Sequence, residues 1–234
     1  TAAGAIDDGT DGDVSVSGNA SFTTSGGGTI TLGNDTGNAT DFGSLTFNAS
    51  GAVSISEDSA TTVSGASTAG GLTLVSASDV NLNATVNVTG NTSITAGTTT
   101  GSIDVNAKLT GSGTILLDAA DGITVDAAID PTSVQLDADD DITINAAVSA
   151  TMLIDVNAGL DGSGSATVSG TGSLTVTAAG SDVTIDAGTT SGDIALNGSS
   201  TSVTAVDSVT LTASGGAITT SNTTNDVSAA SLVA

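Results

Sequence analysis

Leu72-Thr-Leu74, Ile123-Thr-Val125 and Leu174-Thr-Val176 stand 51 residues apart, and this recurrence constrains the fold more than any other feature of the chain. A second mark runs beside it. Ile103-Asp-Val-Asn-Ala107, followed by Leu109 and Gly111-Ser-Gly113, recurs as Ile154-Asp-Val-Asn-Ala158, followed by Leu160 and Gly162-Ser-Gly164. A third pair, Asp141-Ile-Thr-Ile-Asn145 and Asp193-Ile-Ala-Leu-Asn197, is 52 apart. Self-similarity at such a period signals a solenoid or array, whose units bury their apolar faces only by stacking on one another.

Within each unit the short element reads apolar–polar–apolar, the period-2 pattern of a half-buried strand. From Leu72 the pairs are Leu72/Leu74, Val80/Leu82, Val86/Val88, Ile103/Val105 and Ile115/Leu117, with a weaker one at Ile94. Six strands in 51 residues divide into two coils of about 25 residues with three strands each, or into the hairpins of a β-sandwich. A sandwich of this size rests on large aromatic anchors, and aromatics are 1% of this chain, with no Trp or Tyr. A narrow solenoid needs only stacked rows of Val, Ile, Leu and Ala. The expectation is an all-β, right-handed, three-faced parallel β-solenoid of about nine coils, a rod about 40–45 Å long at the usual strand spacing. Its handedness follows from the preference of parallel crossovers.

Charge and missing side chains exclude most chemistry. There are 25 acidic residues, no His and one basic side chain, Lys108, giving a net charge of −24. Ser-His-Asp and Cys-His nucleophile systems are impossible, as are imidazole metal sites and arginine clamps for phosphate. Nucleic acid and anionic membrane surfaces are excluded as partners by the charge. No apolar run is long enough for membrane insertion. Carboxylate pairs such as those in Asp139–Asp141 also serve glycosidases, but the aromatic or basic residues that hold a sugar are missing beside them. The chain reads as non-catalytic.

Residues 1–50 depart from the repeat. The pairs Val14/Val16, Ile30/Leu32 and Leu45/Phe47 lie 15 to 16 apart, and all three aromatics, Phe22, Phe42 and Phe47, fall here. These are atypical first coils forming a cap, or a region where another subunit docks. Residues 51–220 carry the regular repeats, and 221–234 a C-terminal cap or connection. In the body a small residue follows many strands (Ala84, Ala107, Ala127, Ala146, Ala158, Ala187), which suits tight corners and left-handed backbone. Asn residues stacked from coil to coil are expected to form amide ladders. Pro131 sits in a turn between two strands.

Two acidic clusters are candidates for Ca²⁺, which prefers oxygen ligands: Asp7, Asp8, Asp11 and Asp13 around glycine turns, and Asp139, Asp140 and Asp141. The first lacks the spacing of an EF-hand and reads first as a solvated acidic turn; in the second, outward splaying into solvent is the alternative to a bound cation. Carboxylates stacked at strand spacing repel by roughly 1 kcal/mol per pair in water-like surroundings, so bound cations, external salt or outward splaying must offset them. Asn-x-Ser/Thr sequons occur at Asn19, Asn34, Asn38, Asn48, Asn83, Asn87, Asn91, Asn197 and Asn222, nine of fourteen asparagines. In an extracellular protein these are glycan acceptors; otherwise they reflect a Ser- and Thr-rich composition.

Segments such as Leu136-Asp-Ala-Asp-Asp-Asp-Ile-Thr-Ile-Asn-Ala-Ala147 and Leu174-Thr-Val-Thr-Ala-Ala-Gly-Ser-Asp-Val-Thr-Ile-Asp-Ala187 resemble the repeats of filamentous haemagglutinin-type bacterial adhesins. The resemblance covers roughly residues 45–218 and implies a right-handed, three-faced parallel β-helix displayed at the cell surface. It departs at the N-terminus, where no secretion domain of the two-partner type is recognisable. The expected function is an extracellular structural subunit whose rods assemble head to tail with copies of themselves into a filament, sheath or surface layer. The alternative is the stalk or passenger of an adhesin that binds glycans or a neighbouring cell surface.

Overall fold

A computed structural model describes all residues except 11, 36–38, 200–201 and 221–225. The described residues form strands and turns, with no helix. Every strand pairing is parallel, and the chain returns to the same sheet about every 23 residues, forming a β-solenoid.

One sheet has eleven strands: Ile6–Asp7, Ile30–Leu32, Ala52–Glu57, Gly71–Ser76, Thr92–Ala96, Thr114–Ala119, Ser133–Ala138, Leu153–Ala158, Asp182–Ala187, Ser208–Ala213 and Ser231–Val233. The other, of eighteen strands, starts as two long ones, Val14–Thr23 and Thr40–Asn48, and then splits into two ladders. The first ladder runs Thr61–Val63, Val80–Leu82, Ile103–Val105, Ile123–Val125, Ile142–Ile144, Ala166–Gly170, Ile194–Gly198 and Ile218–Thr220. The second runs Ser67–Ala69, Val86–Val88, Leu109–Gly111, Ile129–Asp130, Ala147–Ala150, Ser173–Val176, Val203–Thr204 and Val227–Ser228.

The alternation read from the sequence is what closes the core. In three-residue strands such as Val80–Leu82, Ile103–Val105 and Ile123–Val125 the outer two side chains are buried and the middle one is half-exposed. Register then stacks like on like: Ile103 on Ile123, Ile123 on Ile142, Val105 on Val125, Val125 on Ile144. Each such side chain, removed from water on all sides, contributes about 1.5–3 kcal/mol. β-Branched residues fit this pleated, one-sided environment well.

The 51-residue recurrence is not a structural repeat. Leu72 lies in the eleven-stranded sheet, Ile123 in the first ladder of the larger sheet and Leu174 in the second. Counting the strand of Leu72 itself, seven strands, not six, precede Ile123 in that unit, because Leu109–Gly111 is also a strand. Its second inward position is glycine, so the apolar pair that would announce it is missing. Three strands make a coil, and each 51-residue step therefore slips one ladder sideways. The 52-residue mark does hold: Ile142 and Ile194 share one ladder, two coils apart through Ala166. Along the eleven-stranded sheet, coil length varies from 19 residues (Val53 to Leu72) to 29 (Ile154 to Val183).

Corners differ from expectation in one respect. Ala84, Ala107, Ala127 and Ala146 are half-buried at one corner, whereas Ala158 and Ala187 end strands and face inward. Left-handed backbone belongs to glycine alone among the described residues. Gly33 shows why: its φ is 67°, and a Cβ there would lie 2.1 Å from Ser56 O and 2.7 Å from Thr40 Oγ1.

Candidate functional site

The acidic residues do structural work first. Asp13, Asp79, Asp141 and Asp193 each directly precede a strand of the same ladder or its N-terminal extension. Each carboxylate accepts the backbone N–H of the equivalent residue one coil on: Ala39 at 2.8 Å, Ser102 at 3.0 Å, Ser165 at 2.7 Å and Ala217 at 2.8 Å. Asp8 accepts from Gly33 N–H at 2.6 Å, and Asp7 from Gly9 N–H at 2.8 Å. Corner amides lack a ladder partner, and these carboxylates supply one.

This bears on both proposed calcium clusters. In the first, Asp7, Asp8 and Asp13 reach three different amides, and Asp11 lies outside the described residues. In the second, Asp141 is a coil-to-coil staple, while Asp139 and Asp140 donate backbone N–H to Ala119 O and Asp121 O. Among the described residues no three carboxylates converge on a metal-sized site. The Asp140 carboxyl is held above its usual range by partial desolvation, with Asp161, Asp121, Asp141 and Asp139 adding repulsion.

A broader acidic face lies on the eleven-stranded sheet. Asp118 stands over Asp137, Asp137 over Asn157, and Asn157 over Asp186; Asp155 is in the adjacent outward column, after Gln135. Asp137 is clamped by two amides, Asn157 Nδ2 at 2.8 Å and Gln135 Nε2 at 2.7 Å. Burial raises the carboxyls of Asp118 and Asp155. Asp137 and Asp139 raise Asp118 further; Asp137 and Asp186 do the same for Asp155, against a hydrogen bond from Asn157. On the first ladder Asp104 is likewise raised by burial, then by Asp79 and Asp126, against a hydrogen bond from Thr124. On the second ladder an ion pair, Lys108 to Asp130 at 3.8 Å, is half exposed at both partners and holds little.

Asparagines are spread along the rod. Asn19, Asn34, Asn83, Asn87, Asn91 and Asn197 are exposed, Asn48 is half-buried, and Asn38 and Asn222 lie outside the described residues. Several are already hydrogen-bonded between coils: Asn19 Oδ1 accepts from Ser44, Thr46 and Ser64, Asn48 from Thr68, and Asn91 from Thr114 N–H. The expected amide ladder appears as Asn106 donating to Asn83 at 3.0 Å; its neighbour, Asn145 to Asp126 at 2.8 Å, is amide to carboxylate.

Apolar surface opens in the body at Met152 and Leu160, 57% and 58% exposed, and again at the rod's ends. Ile218 continues the column of Ile194 and is 37% exposed, and Leu232 continues that of Val209 and is 56% exposed, whereas Ile194 and Val209 are fully buried. Val233 is as open as Leu232, and a shallow cleft runs between Leu211, Ile218 and Val233. At the other end Ile6, Val14, Val16 and Phe22 are half-buried. Phe42 and Phe47 are core residues, so the phenylalanines offer less docking surface than their clustering suggests; the Phe22 and Phe42 rings meet at 5.5 Å. No family model, curated protein or solved structure matches the chain.

Proposed function

We propose that this chain is a non-catalytic extracellular structural protein, the subunit of a filament, sheath or surface layer built by stacking rods end to end. The observation that carries the reading is the uniform stacking of coils: inward columns sealed through the body continue to Ile218 and Leu232 on one side and to Ile6, Val14, Val16 and Phe22 on the other, where a further coil would cover them. All strands are parallel, so a second copy placed on the last rung meets unpaired backbone of the polarity that the ladder already uses. Such a head-to-tail contact does not close on itself and propagates as a filament. The right-handed, three-faced cross-section belongs to the same reading, supported by three parallel ladders and by crossover preference. So does the resemblance to filamentous haemagglutinin-type repeats. In this assembly Ca²⁺ acts between the acidic faces of neighbouring rods, and the exposed sequons carry glycans where the source attaches them.

Sedimentation velocity over a concentration series tests it. The wild-type chain grows with concentration, and the double variant Ile218→Asp, Leu232→Asp stays a monomer with an unchanged β-rich circular dichroism spectrum. A wild-type chain that remains monomeric throughout contradicts self-assembly and favours the adhesin stalk.

A further inference from the structure

Glu57 is the most deeply buried ionisable side chain among the described residues, and neither the fold's regular pattern nor the proposed assembly uses it. It is 2% exposed at the end of the strand Ala52–Glu57, pointing inward in the same phase as Val53 and Ile55. Its register neighbours down the rod are Ser76, then Ala96, Ala119, Ala138 and Ala158. A carboxylate thus fills a corner position that the body gives to a methyl group.

The reason lies in a mismatch between coils. The long strand Thr40–Asn48 pairs on one side with Val14–Thr23 along nearly its whole length. On the other side it meets the short strands Thr61–Val63 and Ser67–Ala69, in register at Leu45 with Val63 and at Asn48 with Thr68. Its first residues, Thr40 to Phe42, extend past those strands. Two side chains complete the ladder instead: Asp58 Oδ2 accepts Thr40 N–H at 2.9 Å, and Glu57 Oε1 accepts Phe42 N–H at 2.8 Å. Asp58 N–H donates back to Thr40 O at 2.9 Å, and Thr61 Oγ1 donates to Glu57 Oε2 at 2.7 Å.

We propose that Glu57 is a proton-operated latch at this corner, holding the N-terminal coils to the first short coil more firmly as the solution acidifies. The charged groups facing it are both acidic: Asp41, on the long strand, and Asp58, next in the chain. Thr61 on the neighbouring strand and Ser76 in the next coil are uncharged, and Lys108 is paired elsewhere, with Asp130. Burial pushes the Glu57 carboxyl up, the Thr61 and Phe42 hydrogen bonds pull against it, and Asp41 and Asp58 add to the rise, for a net upward displacement. The closed corner therefore binds the proton more tightly than the opened, solvated one. Protonated Glu57 keeps both contacts: its carbonyl oxygen accepts Phe42 N–H, and its hydroxyl bonds Thr61. The latch is at full strength below the ordinary glutamate range and weakens as pH rises through the raised value.

Hydrogen exchange at Phe42, expressed as a protection factor corrected for intrinsic base catalysis, reads the latch directly. In the wild-type chain protection falls with rising pH, by up to about tenfold per pH unit for a single titrating group. In Glu57→Gln, whose amide satisfies the same two partners, Phe42 stays protected and the slope disappears. The amide of Val125, deep in the body, has no such slope in either protein. Wild-type protection independent of pH, or an equal slope in Glu57→Gln, overturns the proposal.

Discussion

The first two coils and the body solve one problem, burying a narrow apolar core under parallel strands, by different means. In the body three short strands turn at small-residue corners, and the interior is filled by Val, Ile, Leu and Ala in matched columns. In the first coils two strands of 10 and 9 residues carry the chain past the corner without turning, with a register shift between Val16 and Asn19. Their wider interior takes Phe42 and Phe47, the only fully buried aromatics among the described residues. The two designs do not match where they meet, and the carboxylates of Glu57 and Asp58 bridge the gap. Coil geometry is thus set locally, by strand length and corner chemistry, and irregularity is concentrated where those change.

Large-to-small changes in the two cores should have the largest effect. Phe47→Ala is expected to cost about 3–5 kcal/mol and Leu136→Ala about 2–5 kcal/mol in denaturant unfolding, since both side chains are fully buried. If the N-terminal coils unfold as a separate unit, Phe47→Ala will produce a first transition that leaves the body folded, and Leu136→Ala will not. Gly33→Ala comes next, at about 1–3 kcal/mol, from a left-handed backbone and a clash with Ser56 O. Its effect should fall on the N-terminal transition alone.

A pH series gives a smaller, distributed effect. Every resolved shift, at Glu57, Asp104, Asp118, Asp140 and Asp155, is upward. The folded chain therefore holds these protons more tightly than the unfolded one, and melting temperature should fall as pH rises from the ordinary carboxylate range through their raised values. Added salt at neutral pH should recover part of the loss in the body, where the repelling carboxylates are exposed, and less at buried Glu57. A melting temperature that climbs over the same range contradicts this. Smallest is the corner staple: Asp141→Ala should cost about 1 kcal/mol in an equilibrium unfolding curve, and Asp141→Asn less, because an amide oxygen still accepts Ser165 N–H.

Much of this was legible in the sequence, and the exceptions have physical causes. Period-2 alternation located the six strands first read from Leu72 onward, because a one-sided core writes itself into every second residue. It could not assign strands to ladders: Leu72-Thr-Leu74 and Ile123-Thr-Val125 look alike on any face, and Gly111 hides the strand that would have corrected the count. Glu57 was legible in principle, since Val53 and Ile55 fix its parity as inward. The acidic face of Asp118, Asp137, Asp155 and Asp186 was not, because coil lengths between 19 and 29 residues decide which carboxylates align. Asp13 and Asp141 drew attention as acidic clusters, and their shared role as staples emerges only when the ladder is seen.

Electron microscopy of the purified chain, with millimolar Ca²⁺ and again with a chelator, tests end-to-end assembly most directly. Eleven rungs at strand spacing predict filaments with an axial repeat of about 50 Å. Filaments that persist singly in chelator but lie side by side in Ca²⁺ match cation bridging between acidic faces. Isolated rods in both conditions, at every concentration, contradict the assembly.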